Sequence, residues 1–165
     1  MSEHIDPIKV WEDLHKIPEL GMQEFKTAAY IAKALKDMGV EVQTELGGTT
    51  GVMGIIKGEE PGPVVLLRAD MDALPFTIDG KDCAIHACGH DSHCAMVLAA
   101  TSRLKDKIKK GTLKILFQPS EELINGALAM IDAGVIEDVD YALGAHIRPV
   151  QDVPAGKICP AVNHT

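Results

Sequence analysis

Val64-Val65-Leu66-Leu67-Arg68-Ala69-Asp70-Met71-Asp72 is the stretch on which the fold turns. Val64 to Leu67 leaves no polar face, the pattern of a strand covered on both sides, as parallel strands in α/β proteins are. The run ends in charge, with Asp70 and Asp72 two residues apart. Leu113-Lys114-Ile115-Leu116-Phe117 repeats the pattern and leads to Glu121-Glu122, and Tyr141-Ala142-Leu143-Gly144-Ala145 leads to His146. Two helical stretches lie between. One runs from about Ser92 to Lys105, with Met96, Val97, Ala99, Ala100 and Leu104 on its apolar face; the other runs from Asn125 to Asp132. This alternation predicts an α/β fold with a mostly parallel, twisted sheet flanked by helices.

Upstream, Val10, Leu14 and Ile17 sit at helical spacing before Pro18, and Glu24 to Met38 carries a long apolar stripe closed by Gly39. Val40 to Thr44 alternates as a strand does, Gly47-Gly48 turns the chain, and Gly51 to Ile56 reads as the next strand. Glu59 to Pro63 reads as a loop, and Asp70 to His93 as a polar connection without periodicity. No repeat, low-complexity segment or linker interrupts the chain, so residues 1–165 are expected to form a single domain.

Composition narrows the function. The chain has 165 residues, 46% hydrophobic and 24% charged, which is globular material able to bury a core. A net charge of −8 argues against nucleic acid or an anionic membrane as the main partner. The basic run Lys105 to Lys110 reads as a solvated helix end. No apolar stretch reaches membrane-spanning length, and the polar Met1-Ser2-Glu3-His4 start lacks an export signal, so a cytoplasmic location is expected. Cys83, Cys88, Cys94 and Cys159 are then expected as reduced thiols, one of them a ligand.

The chemistry-bearing side chains follow the carboxyl ends of the predicted strands, where α/β sheets bind ligands. The densest group is His86-Ala87-Cys88-Gly89-His90-Asp91-Ser92-His93. Cys88 and His90, two apart around a glycine, can meet one cation if the backbone is extended; the plain alternative is a polar loop with Asp91 as helix N-cap. Glu121 and Glu122 would face opposite ways in extended backbone, so one suits a metal and the other the water being activated. Alone, the pair reads equally well as acids at a helix start. Asp70 and Asp72 suit ligands, orienting acceptors for a ligand histidine, or a turn start. His93 reads as a residue near substrate, as one that supports a ligand from behind, or as an exposed histidine on the first helical turn, and His4, His15 and His164 have no supporting context.

Together, Leu67-Arg68-Ala69-Asp70-Met71-Asp72-Ala73-Leu74-Pro75, His86-Ala87-Cys88-Gly89-His90-Asp91, Phe117-Gln118-Pro119-Ser120-Glu121-Glu122 and Gly144-Ala145-His146 resemble the ordered motifs of the M20 metallopeptidases. The likeness is to the amidohydrolase branch that includes N-acyl-amino-acid, hippurate and auxin-conjugate hydrolases. It implies a zinc-exopeptidase-like catalytic domain with two divalent transition-metal ions, Zn, Mn, Co or Ni. Cys88 would bridge the ions, with His90, Glu122 and His146 as further metal ligands. Glu121 would be the catalytic general base, and Asp70 and Asp72 would act behind the ligands. The substrate would be a small N-acyl amino acid or peptide cleaved at its amide; the alternative is a non-catalytic metal-binding or interaction module of the same fold. Ser120 stands where the family commonly has alanine, and Leu123 to Gly126 where it has a glycine-rich run. The resemblance covers the first part of such a domain, without the family's lid and dimerisation domain or its late histidine ligand. Uncovered apolar surface and an open sheet edge would follow, so a homo-oligomer is expected.

Overall fold

The computed structural model describes residues 4–148 and 151–159. Chain order is α1 (Pro7–Leu14), α2 (Phe25–Asp37), β1 (Glu41–Leu46), β2 (Gly51–Lys57), β3 (Glu60–Asp70), β4 (Leu74–Ile78), β5 (Lys81–Ile85), α3 (His90–Leu104), β6 (Lys110–Gln118), α4 (Gly126–Asp132) and β7 (Tyr141–Gly144). Five strands form one sheet in the order β1-β2-β6-β3-β7. The pairs β3–β6 and β3–β7 are parallel, whereas β1–β2 and β2–β6 are antiparallel. The sheet is therefore mixed, and its parallel half is the half made by the strand–helix alternation after Val64. The antiparallel half is a hairpin added at the β6 edge, a long-range pairing that local periodicity does not encode.

Two faces of the sheet are covered differently. Leu113, Ile115 and Phe117 of β6 point to one side and pack with Val10, Leu14, Ile31, Leu35 and Leu98 from α1, α2 and α3. Leu116, one residue out of phase, joins Leu66, Met53, Met130 and Val135 on the side of α4. The crossovers from β3 to β6 and from β6 to β7 thus use opposite faces, and β7 lands on the far side of β3. Such a reversal opens a crevice at the carboxyl ends of the strands.

Several local readings differ from the structure. Asp70 to His93 contains a hairpin, β4–β5, turned by Asp79 and Gly80 with φ of 51° and 73°; two successive positive φ angles are the type I′ geometry that Asp-Gly favours. Glu60 to Pro63 belongs to β3. Helix α3 begins at His90 with Gly89 as N-cap, so Asp91 lies in the first turn instead of capping it. No helix among the described residues is long and apolar enough to cross a membrane.

Candidate metal centre

Three neighbouring parallel strands and one helix start deliver the polar side chains to a single rim. Asp70 ends β3 and Asp72 follows it; Glu121 and Glu122 follow β6; His146 follows β7; His90 and His93 open α3. His90 is fully buried and lies at the centre. Its Nδ1 is 3.1 Å from Asp72 Oδ1, and Asp72 Oδ2 accepts the Glu122 N–H at 3.0 Å. Asp72 therefore orients the imidazole and the acidic turn together, with both its oxygens engaged. The other ring nitrogen, Nε2, is buried and has no hydrogen-bond partner.

Around that orphaned nitrogen stand Glu122 Oε1 at 3.7 Å, Asp70 Oδ2 at 3.8 Å and Glu121 Oε2 at 3.9 Å. Glu122 Oε1 is itself buried and unpartnered. Cys88 Sγ and His146 Nε2 are 3.4 Å apart, and both lie within 4.8 Å of a His90 ring nitrogen. Two ligands bound tetrahedrally at about 2.0–2.3 Å sit roughly 3.3–3.8 Å from each other, so this spacing suits a shared cation. The set of thiolate, imidazole and carboxylate suits Zn, Mn, Co or Ni better than Mg or Ca. Burying two such unsatisfied groups side by side is costly unless something binds them.

The remaining acids are occupied. Asp70 Oδ1 meets His93 Nδ1 at 2.6 Å and Oδ2 accepts from Arg68 at 2.7 Å, while Arg68 also donates to Gln118 at 3.0 Å. Asp70 and Asp72 thus hold histidines, one of the roles open to them from sequence. His93 is buried, not exposed on a helix surface. Burial pushes the Asp70 carboxyl up, but the His93 hydrogen bond and the Arg68 charge outweigh it and hold the group at about 2. His90 is raised: burial opposes its charge, yet Asp72, Asp70 and Glu122 prevail. The Cys88 thiol is pushed up to about 12 by burial and then by its acidic neighbours Glu122, Glu121 and Asp70. A thiol so placed ionises only when a cation joins it.

Two geometric expectations are corrected. Cys88 and His90 do not share an extended segment, because Gly89 has φ of 83° and His90 is already helical; the turn itself brings them together. Glu121 and Glu122 do not face opposite ways. They lie in a turn between Ser120 and Ile124, with φ of 51° and 61°, and both carboxylates approach His90.

Sequence reasoning also missed the support beneath that turn. Glu24 is fully buried, accepts the Ser120 N–H at 2.8 Å and accepts the Thr50 hydroxyl at 2.5 Å. Its only signal in the sequence is an acid at the head of an apolar helix. His15, which had no context, lies 2.6 Å from Asp91 Oδ2 on the first turn of α3. His86 is buried beside it with both ring nitrogens unpartnered, and burial pushes its pKa down. His164 lies outside the described residues.

Fold and rim together define an α/β domain with a candidate cation site where its parallel strands end. The chain belongs to peptidase family M20/M25/M40, whose sequence profile matches residues 66–161. It is 43% identical over 153 residues to thermostable carboxypeptidase 1 of Saccharolobus solfataricus, covering 85% of this chain and 38% of that protein. It is 41% identical over 150 residues to hippurate hydrolase of Campylobacter jejuni, covering 86% of this chain and 39% of that protein. Among solved structures, the Bacillus subtilis YxeP protein, a dinuclear metal-binding peptidase of the M20 family, matches with a TM-score of 0.80 and 38% identity, over 87% of this chain and 43% of that one. The chain therefore spans about two fifths of the length of the curated relatives it matches.

Proposed function

We propose that residues 1–165 form one domain, the N-terminal portion of the catalytic domain of a hydrolase that uses two divalent transition-metal ions to cleave the amide of small N-acyl amino acids or peptides. The hippurate hydrolase and carboxypeptidase relatives support that substrate class. The observation that carries the reading is the buried, unpartnered Nε2 of His90 with Glu122, Glu121, Cys88 and His146 gathered about it. Cys88, His90, Glu122 and His146 would hold the ions, Cys88 between them. When bound, the ions supply Lewis-acid polarisation of the scissile carbonyl and make water easier to ionise.

The chain's own residues would do the rest. Glu121 is the more exposed of the paired carboxylates, with 41% of its side chain accessible against 25% for Glu122. It suits the general base, taking a proton from the attacking water and delivering it to the leaving nitrogen. Asp72 keeps His90 Nε2 aimed at the rim, and Asp70 holds His93. A small-molecule substrate, a cytoplasmic setting and a homo-oligomer complete the proposal.

The test is an assay of the chain with Mn, Co or Zn on N-acyl amino acids, beside its Glu121→Gln variant. The reading expects metal-dependent turnover, and expects Glu121→Gln to abolish turnover in a complete enzyme that carries this portion while metal content stays. Metal binding without turnover would identify a non-catalytic module of the same fold, and loss of metal in the variant would make Glu121 a ligand.

A further inference from the structure

His146 is the least supported member of the centre. It follows the short edge strand β7, lies in no regular element and is exposed. Something other than secondary structure must hold it opposite Cys88. The contacts converge on its neighbour, Ile147. The Ile147 N–H donates to His93 Nε2 at 3.0 Å. The Ile147 carbonyl accepts from His146 Nδ1 at 2.6 Å, which leaves His146 Nε2 as the free nitrogen, 3.4 Å from Cys88 Sγ. The Ile147 side chain lies against Gly89, where an added Cβ would come 2.2 Å from Ile147 Cδ1.

His93 is the fixed end of this arrangement. It is buried on the first turn of α3, and its Nδ1 meets the Asp70 carboxylate at 2.6 Å. Asp70 accepts that proton, so Nε2 keeps a lone pair, which is what the Ile147 N–H requires. The two bonds use both ring nitrogens and take His93 out of the ligand set, although it stands among groups close enough to hold an ion. The rings of His93 and His146 also pack edge to face, with centroids 4.5 Å apart.

We infer that His93 is a positioning residue: through the Ile147 N–H it latches the segment after β7, and with the glycine gap at Gly89 it places His146 Nε2 opposite Cys88. This rests on the metal-centre reading above and adds a role for a histidine that binds no ion. A partner that fixes a ligand's neighbour in this way governs metal affinity by roughly 10–100-fold when removed.

Two variants separate the latch from simple packing. In His93→Asn the amide can still donate to Asp70, but its oxygen falls short of Ile147. In His93→Gln the longer side chain carries an acceptor to Ile147. Each is compared with wild type by cobalt titration, following the thiolate-to-cobalt charge-transfer band, and by amide hydrogen exchange at Ile147 in the metal-free chain. Circular dichroism and thermal melting confirm that each is folded. The latch predicts that His93→Asn loses protection at Ile147 and weakens cobalt binding by roughly 10–100-fold, and that His93→Gln recovers both in large part. Unchanged Ile147 protection and unchanged affinity in His93→Asn would overturn it, as would equal loss in both folded variants. If wild type shows no thiolate–cobalt band, the metal-centre reading fails and the role in ligand placement goes with it, while exchange at Ile147 still decides whether the latch exists.

Discussion

Cys88 Sγ and His146 Nε2 stand 3.4 Å apart although 58 residues separate them and neither lies in a helix or strand. One comes from the turn before α3, the other from the segment after β7, and β3 lies beside both. Their meeting turns three strand-end motifs into one centre. It also makes the state of the thiol depend on what joins it. With the thiol pushed up to about 12, Cys88 carries its proton in the metal-free chain near neutrality, and His90, raised by its acidic neighbours, holds a second proton more readily than a free imidazole does. Loading with zinc should therefore release protons, visible as a binding heat that varies with buffer ionisation enthalpy, and affinity should rise with pH. Buffer-independent heats would contradict this.

The same protonated thiol disfavours Cys88 as a nucleophile. In the metal-free chain at pH 8, iodoacetamide should modify the exposed Cys83 and Cys159 well before Cys88. Peptide mapping by mass spectrometry reads the order directly, and preferential alkylation of Cys88 would show a reactive thiolate in the absence of metal.

Asp72 should control the His90 tautomer. Its carboxylate meets His90 Nδ1 and accepts the Glu122 N–H. In Asp72→Asn one group facing these two must be an amide N–H₂, which either repels the Glu122 N–H or reverses the His90 hydrogen bond. Metal affinity is expected to fall roughly 10–100-fold, measured by competition with a chromogenic chelator. Wild-type affinity would show that the tautomer is set elsewhere.

Asp70 should set part of the acid stability. Its folded pKa of about 2 lies below the ordinary 3.8, so the carboxylate stabilises the fold above pH 4, and that contribution is lost as pH falls toward 2. The side chain is 1% exposed, so the shift corresponds to about 2 kcal/mol. Urea unfolding of the metal-free chain at pH 6 and pH 3 should show about half of this loss, since pH 3 lies between the two pKa values, and Asp70→Asn should flatten it. An equal slope in the variant would place the pH dependence in other groups.

Glu24 should hold the acidic turn from beneath. Glu24→Ala leaves the Ser120 N–H and the Thr50 hydroxyl without their buried acceptor, at a cost of about 1–3 kcal/mol for each group left unpaired. Glu24→Gln keeps an acceptor and should cost less. Chemical denaturation of both variants gives the comparison; equal stability in Glu24→Ala and wild type would show that the turn supports itself.

How far the sequence was legible follows from the range of the interactions. The apolar runs at Val64 and Leu113 announce buried strands because each residue's burial is written in its own side chain, and the motifs after them stand on one rim because β6, β3 and β7 are parallel neighbours. The antiparallel hairpin β1–β2 was visible as two strands, but its attachment to β6 was not, since partner choice is a long-range property. Asp79-Gly80 did carry a hairpin signal inside a segment that reads as irregular, masked by the exposed and polar faces of β4 and β5. The common direction of Glu121 and Glu122 depends on the positive φ of Ser120, a residue type that gives little warning of it. The sequence left the role of His93 open between the site and the surface because its partners, Asp70 and Ile147, lie 23 and 54 residues away.

The central claim is that Cys88, His90, Glu122 and His146 share bound cations while Glu121 stays free of them. Anomalous diffraction from crystals of the zinc-loaded chain tests it most directly. The account predicts metal peaks about 2.0–2.3 Å from Cys88 Sγ, His90 Nε2, His146 Nε2 and a Glu122 oxygen, with no Glu121 oxygen at bonding distance. Zinc bound through Asp70 and His93, or four side chains that coordinate nothing in common, would contradict it.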